Sequence, residues 1–232
     1  MQEISAFLDN MDWGSFVQLL LRVVAVLICI IIHEVSHGLA AYLLGDPTAK
    51  RQKRLSLNPL RHIDPFGALM MLLVGFGWAK PVPVDVRYFK KPKSGMALTA
   101  LAGPISNFIL AYVVLLLAYL TLGIFVVNEV PYSDLTQGIL DFCVMTAALS
   151  IGLGVFNLIP FPPLDGSKVL GIFLPDGIYY KVLRYEFAGT FVLMALLWLG
   201  VLDGPLYAVR SFVTDGLLNL AQWPYDVIIA IF

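Results

Sequence analysis

Two histidines and a glutamate carry the first sign of chemistry. His33-Glu34-Val35-Ser36-His37 follows the apolar run Ile28-Cys29-Ile30-Ile31-Ile32. On a helix, residues four apart share a face, so the imidazoles of His33 and His37 can reach one metal ion. Glu34 sits beside them, where a carboxylate can take a proton from a water that the metal activates. The chain has only three histidines, so a chance match to this spacing is a rare coincidence. The competing reading is a pair of structural histidines satisfied by backbone carbonyls. Three polar or ionisable groups inside a membrane helix are costly, and a helix that only spans the bilayer has no use for them.

A second stretch, Asn157-Leu158-Ile159-Pro160-Phe161-Pro162-Pro163-Leu164-Asp165-Gly166, is the natural source of a third ligand. Its prolines unwind the helix before it, and irregular backbone at membrane depth is tolerated only inside protein or along a cavity. Zinc enzymes commonly pair two histidines and one carboxylate with a water. Asp165 is the best candidate. Asp141 is the rival, and His62 and Asp64 belong to a connector where capping is the simpler role. Asn157 could polarise a carbonyl, bind a substrate backbone, or cap the broken helix.

The elements that must position these groups are membrane helices. Of 232 residues, 59% are hydrophobic and 13% charged, and mean hydropathy is +0.83. A soluble domain is about one quarter charged. The net charge of -1 gives no bulk attraction for nucleic acid. Cys29 and Cys143 lie in apolar runs and read as small core residues. The segment before Trp13 has Glu3, Asp9 and Asp12 but no Lys or Arg, so no cleavable signal peptide is expected and the first span directs insertion.

The expected fold class is an all-α polytopic membrane protein with about four to six transmembrane helices, forming a single domain over 1–232. Its catalytic core covers about 16–170 and its C-terminal helices about 178–232. Long spans are predicted at about 16–44, 95–127 and 137–159, with a further one at about 187–202. Lys50, Arg51, Lys53, Arg54 and Arg61 place the connector after the first span in the cytoplasm and the acidic N-terminus outside. In that topology His33 lies roughly 16 Å from the cytoplasmic end of its span, and Asp165 approaches from the same side. Leu55-Ser56-Leu57 alternates like a short strand. The apolar, glycine-rich segment 65–79 is short for a span and has basic residues on both sides, so a re-entrant or β-hairpin-like membrane-associated segment is expected there. Pro81-Val82-Pro83-Val84 must be extended. It reads either as an edge for another extended peptide or as a surface turn. Asn107, at membrane depth, is expected to bond a neighbouring helix or the site.

Together these stretches resemble the site-2 protease family of intramembrane zinc metalloproteases, peptidase family M50. The resemblance also takes in Gly45-Asp46-Pro47-Thr48-Ala49-Lys50, Leu57-Asn58-Pro59-Leu60-Arg61-His62-Ile63-Asp64-Pro65, Gly77 through Val84, and Ala102-Gly103-Pro104. It is similar to the small, prokaryotic, single-domain members, from the first span to Gly166. The resemblance implies His33, His37 and Asp165 as ligands of one zinc ion, Glu34 as general base and Asn157 as a supporting active-site residue. It implies a transmembrane protein as substrate, and the near-neutral charge points to no nucleic-acid partner. The likeness to prokaryotic members points to a prokaryotic cell membrane; the apolar spans make the protein multi-pass, and the charge bias has the site reached from the cytoplasm. The chain departs from larger members in having no PDZ domain between the motifs and no C-terminal nucleotide-sensing domain. Other readings of the same ligands are a metal-dependent hydrolase of a lipid or small molecule, an ion transporter, and a pseudo-enzyme that only binds. Paired inverted halves, common in transporters, are not evident.

Overall fold

The computed structural model describes residues 13–67, 80–131 and 133–231. Nine helices are labelled here: α1 (Trp13–Leu43), α2 (Thr48–Arg51), α3 (Pro92–Val127), α4 (Asp134–Asn157), α5 (Asp165–Leu170), α6 (Asp176–Arg184), α7 (Glu186–Trp198), α8 (Asp203–Ala221) and α9 (Trp223–Ile231). Short 3-10 turns lie at Pro59–Arg61, Val86–Tyr88 and Gly171–Phe173. The all-α polytopic expectation holds. Helices α1, α3 and α4 are long and apolar enough to cross a bilayer; α7 and the α8–α9 stretch, bent by 86° at their junction, make a fourth span if taken as one.

The three long helices match the predicted spans, because uninterrupted apolar runs bounded by turn residues leave little freedom at their ends. Gly45, at φ +107°, stops α1 in a backbone region open to glycine. Ser133 and Thr136 form a reciprocal capping box that starts α4. Two expectations differ from the structure. Residues 55–57 form no strand; the Ser56 carbonyl instead faces His62 Nε2 at 2.7 Å. The span expected over 187–202 is a 13-residue helix that ends at Trp198. At 1.5 Å per residue it reaches only about 20 Å, short of a hydrocarbon core. The expected re-entrant segment lies mostly at 68–79, outside the described residues.

Helix α3 is the hub, packing against α1, α4, α5, α8 and α9. Small residues make this possible: Ala111 and Ala147 let α3 and α4 close around Leu115, Ile151 and Val155, and Ala221 of α8 completes the cluster. Large apolar side chains such as Leu19, Ile109, Leu117 and Val144 point outward, as lipid-facing positions do. Pro104, inside α3, offers no N–H to the Ala100 carbonyl one turn earlier.

In lipid the core is held by contact rather than by expulsion of water, so a hole should be costly. Ile151 is 1% exposed. Ile151→Ala is expected to destabilise the bundle by about 2–5 kcal/mol, lowering the thermal unfolding midpoint measured in detergent.

Candidate metal centre

One face of α3 forms a cradle for the two imidazoles of α1. Thr99, Gly103 and Asn107 are four residues apart and share that face. The Thr99 carbonyl lies 2.7 Å from His37 Nδ1, and Asn107 Oδ1 lies 3.0 Å from His33 Nδ1. Between them, a Cβ on Gly103 would come within 2.5 Å of His37 Cε1 and 2.6 Å of His33 Cε1. Only a residue without a side chain admits both rings. The rings stand edge to face, with centroids 4.5 Å apart. Asn107 is fully buried, and its backbone carbonyl accepts from Ser150 Oγ of α4 at 2.8 Å.

Asp165 arrives from the other half of the chain. Residues 158–164, after α4, turn without regular helix, and α5 begins at Asp165. Gly166 permits the return, since a Cβ there would run into the Leu158 and Ile159 carbonyls. Asp165 Oδ2 lies 3.2 Å from His33 Nε2 and 3.1 Å from His37 Nε2.

This donor set fits a divalent metal. The candidate ligand atoms of His33, His37 and Asp165 lie within 4.8 Å of one another. The Thr99 carbonyl can only accept, so His37 carries its proton on Nδ1 and, as a neutral ring, turns the Nε2 lone pair to Asp165. Asn107 Oδ1 sets the same tautomer on His33. With that tautomer, lone pairs on two nitrogens and a carboxylate oxygen converge on one point, which a divalent ion would fill. Orientation of ligating imidazoles through their second nitrogen is the usual support of such a site.

Glu34 and Asn157 border the same cavity, of about 330 Å³, with Val82 and Lys168. Glu34 Oε2 accepts from the Val82 N–H at 2.8 Å. Asn157 Nδ2 donates to the Leu153 carbonyl at 3.0 Å. Lys168 Nζ stands 4.0 Å from Asp165 Oδ1. The structure therefore brings all five residues expected from the sequence, His33, Glu34, His37, Asn157 and Asp165, to one place. The rivals stay outside: Asp141 is exposed near the opposite end of α4, Asp64 accepts from the Gly67 N–H, and His62 is buried against Ser56. The sequence reading missed Thr99, which acts through its backbone and carries no side-chain signal. It named Asn107 only as a membrane-depth amide, and Ala102-Gly103-Pro104 only as a small-residue opening.

The chain matches the model of peptidase family M50 over residues 21–200. It is 36% identical over 198 residues to "Putative zinc metalloprotease YwhC" of Bacillus subtilis, covering 85% of this chain and 89% of that protein. It is 29% identical over 194 residues to "Putative zinc metalloprotease Rip2" of Mycobacterium tuberculosis, covering 82% of this chain and 71% of that one. No solved structure matches it. The chain belongs to peptidase family M50, and its apolar helices make it an integral membrane protein.

The cradle makes a prediction that spares every ligand. Gly103→Ala and Asn107→Leu should each weaken affinity for a divalent metal by about 10–100-fold, measured by metal content of purified protein after dialysis against a zinc buffer.

Proposed function

We propose that this protein is an intramembrane zinc metalloendopeptidase of the site-2 type, hydrolysing a peptide bond within or near a transmembrane segment of another membrane protein. The observation that carries the reading is the convergence of His33, His37 and Asp165 beside Glu34, in a cavity bounded by membrane helices. These three residues would hold one zinc ion. When bound, the metal would acidify a water and polarise the scissile carbonyl.

The chain's own groups take the remaining roles. Glu34 accepts the water proton and returns it to the leaving amine. Its Oε2 is occupied by the Val82 N–H, so Oε1 is the oxygen that handles the proton. Asn157, at the cavity edge, binds the substrate backbone or its developing oxyanion. A membrane helix shields its peptide bonds, so the substrate must unwind before it is cut. The extended stretch Pro81–Val84 lines the cavity beside Glu34 and is suited to hold the opened strand. Water and substrate loops reach the site from the cytoplasmic side, where the basic connector lies.

Glu34→Gln is expected to keep about one zinc per chain and to lower cleavage of a membrane-embedded peptide by about 10²–10⁴-fold. His33→Ala and Asp165→Ala should each lose the metal. Metal content with cleavage of peptide and lipid substrates checks this. Turnover retained in Glu34→Gln overturns the role of Glu34, and lipid hydrolysis without peptide hydrolysis overturns the substrate class.

A further inference from the structure

Two buried charges outside the metal site hold the same short segment. Arg54 is 7% exposed and Asp46 is fully buried. Among the described residues neither has an opposite charge within 4.0 Å. Most of their bonds go to backbone, and the Thr48 hydroxyl also donates to Asp46 Oδ1 at 2.5 Å. The Arg54 guanidinium donates to the carbonyls of Arg61 and Lys80, and to that of Pro81 at 3.0 Å. Asp46 Oδ2 accepts from the Asp85 N–H at 2.7 Å, while Oδ1 takes the Thr48 N–H at 2.9 Å.

The segment between these anchors is residues 80–85. Pro81 and Pro83 have no N–H to give. The Lys80 N–H bonds the His62 carbonyl at 2.8 Å, and the Val82 N–H bonds Glu34. The segment thus runs past the candidate base with one end held by a cation and the other by an anion. Gly38, one residue after His37, lets it come this close: a Cβ there would meet Leu55 Cδ2 at 2.7 Å and Val82 Cγ1 at 2.9 Å. Burying an ion without a counter-ion is expensive unless every bond it makes is needed. Here three of those bonds, to the Lys80 and Pro81 carbonyls and from the Asp85 N–H, fall on the segment that carries the Val82 donor.

We propose that Arg54 and Asp46 are positioning residues of the hydrolytic site, fixing residues 80–85 so that the Val82 N–H orients the Glu34 carboxylate. This rests on Glu34 as the proton acceptor. Neither residue touches substrate or metal. Loss of either charge frees one end of the segment, and Glu34 then samples rotamers in which neither oxygen is set for the reaction.

The test uses the full chain in detergent, as wild type, Arg54→Gln, Arg54→Lys and Asp46→Asn. Three readouts are taken: zinc per chain, hydrogen exchange by mass spectrometry, and steady-state cleavage of a single-pass model peptide with a Gly-Pro break in its apolar stretch. In Arg54→Gln and Asp46→Asn, exchange across 80–89 should rise about tenfold or more, and kcat should fall by a similar factor. Zinc content and exchange along α1 should hold, with KM within about threefold, because the ligands and the substrate surface are untouched. Arg54→Lys keeps the charge but reaches fewer carbonyls, and should recover part of kcat. It also carries the test if Arg54→Gln does not purify. Unchanged exchange at 80–89 overturns the proposal, as does raised exchange with kcat intact, or zinc lost together with protection throughout the chain. A wild type that cleaves no peptide sinks the protease reading instead, and the exchange readout still decides whether the two charges hold the segment.

Discussion

The site depends on how closely the α3 backbone approaches two imidazoles of α1. Each ring must give its Nδ1 proton to an acceptor on α3 so that both Nε2 lone pairs converge. The acceptors are the carbonyl of Thr99 and the side chain of Asn107, two helical turns apart. The rings lie between them, against Gly103. Any side chain at that position would displace both rings at once. The small residues along α3 extend the same constraint down the bundle. Ala111 lets α4 close on α3, and Ser150 of α4 in turn bonds the backbone of Asn107. The helix packing and the histidine tautomers are therefore one arrangement rather than two.

Asp165 meets a different difficulty, because a carboxylate cannot be carried to membrane depth on an ordinary lipid-facing helix. The chain breaks α4 after Asn157, turns through a proline-rich run, and starts a new short helix with Asp165 at its first position. That run has its own polar groups to satisfy. Ser167 Oγ bonds the Leu164 carbonyl, and Lys93 of α3 reaches across to the Leu174 carbonyl and to Asp176. The short helix that starts at Asp165 packs against α3, the helix that also orients the histidines. The candidate ligands from the two halves of the chain are positioned by a common scaffold.

How much of this was legible in the sequence differs by residue. His33, Glu34 and His37 were readable because their spacing is a property of one helix. Asp165 was readable because a carboxylate placed after a proline break in an apolar chain is costly unless it binds something. The long spans were readable from apolar length alone. Thr99 was not, since a backbone carbonyl has no residue-type signal. Gly103 read as a small packing residue, and only the distance to the rings reveals its role. The Leu55–Leu57 alternation misled because a period of two over three residues also fits an irregular loop with a single apolar anchor. Leu55 packs against the Gly38 position and Leu57 is exposed. The 187–202 stretch misled because hydropathy does not register where a helix ends. Gly200 takes φ +69°, and the chain turns through the break before α8.

Polar groups in this chain are concentrated rather than scattered. Across the lipid-facing surface, exposed positions on α1, α3 and α4 are largely apolar. The buried polar residues His33, His37, Asp46, Arg54, Thr99 and Asn107 instead run from the metal site to the end of α1 and the segment at 80–85. A protein that needed only to span a membrane would gain stability by replacing that band with packed apolar side chains. Its retention makes sense for a site that must admit water and an unwound peptide without letting the ligands move. On the proposed reading, Glu34 joins the two ends of the band: it directly follows the zinc ligand His33 in the chain, and its carboxylate is held by a loop outside the spans. Proton transfer and the admission of substrate would then be set by one segment, so the geometry that makes the base competent is also the geometry that presents the strand to it.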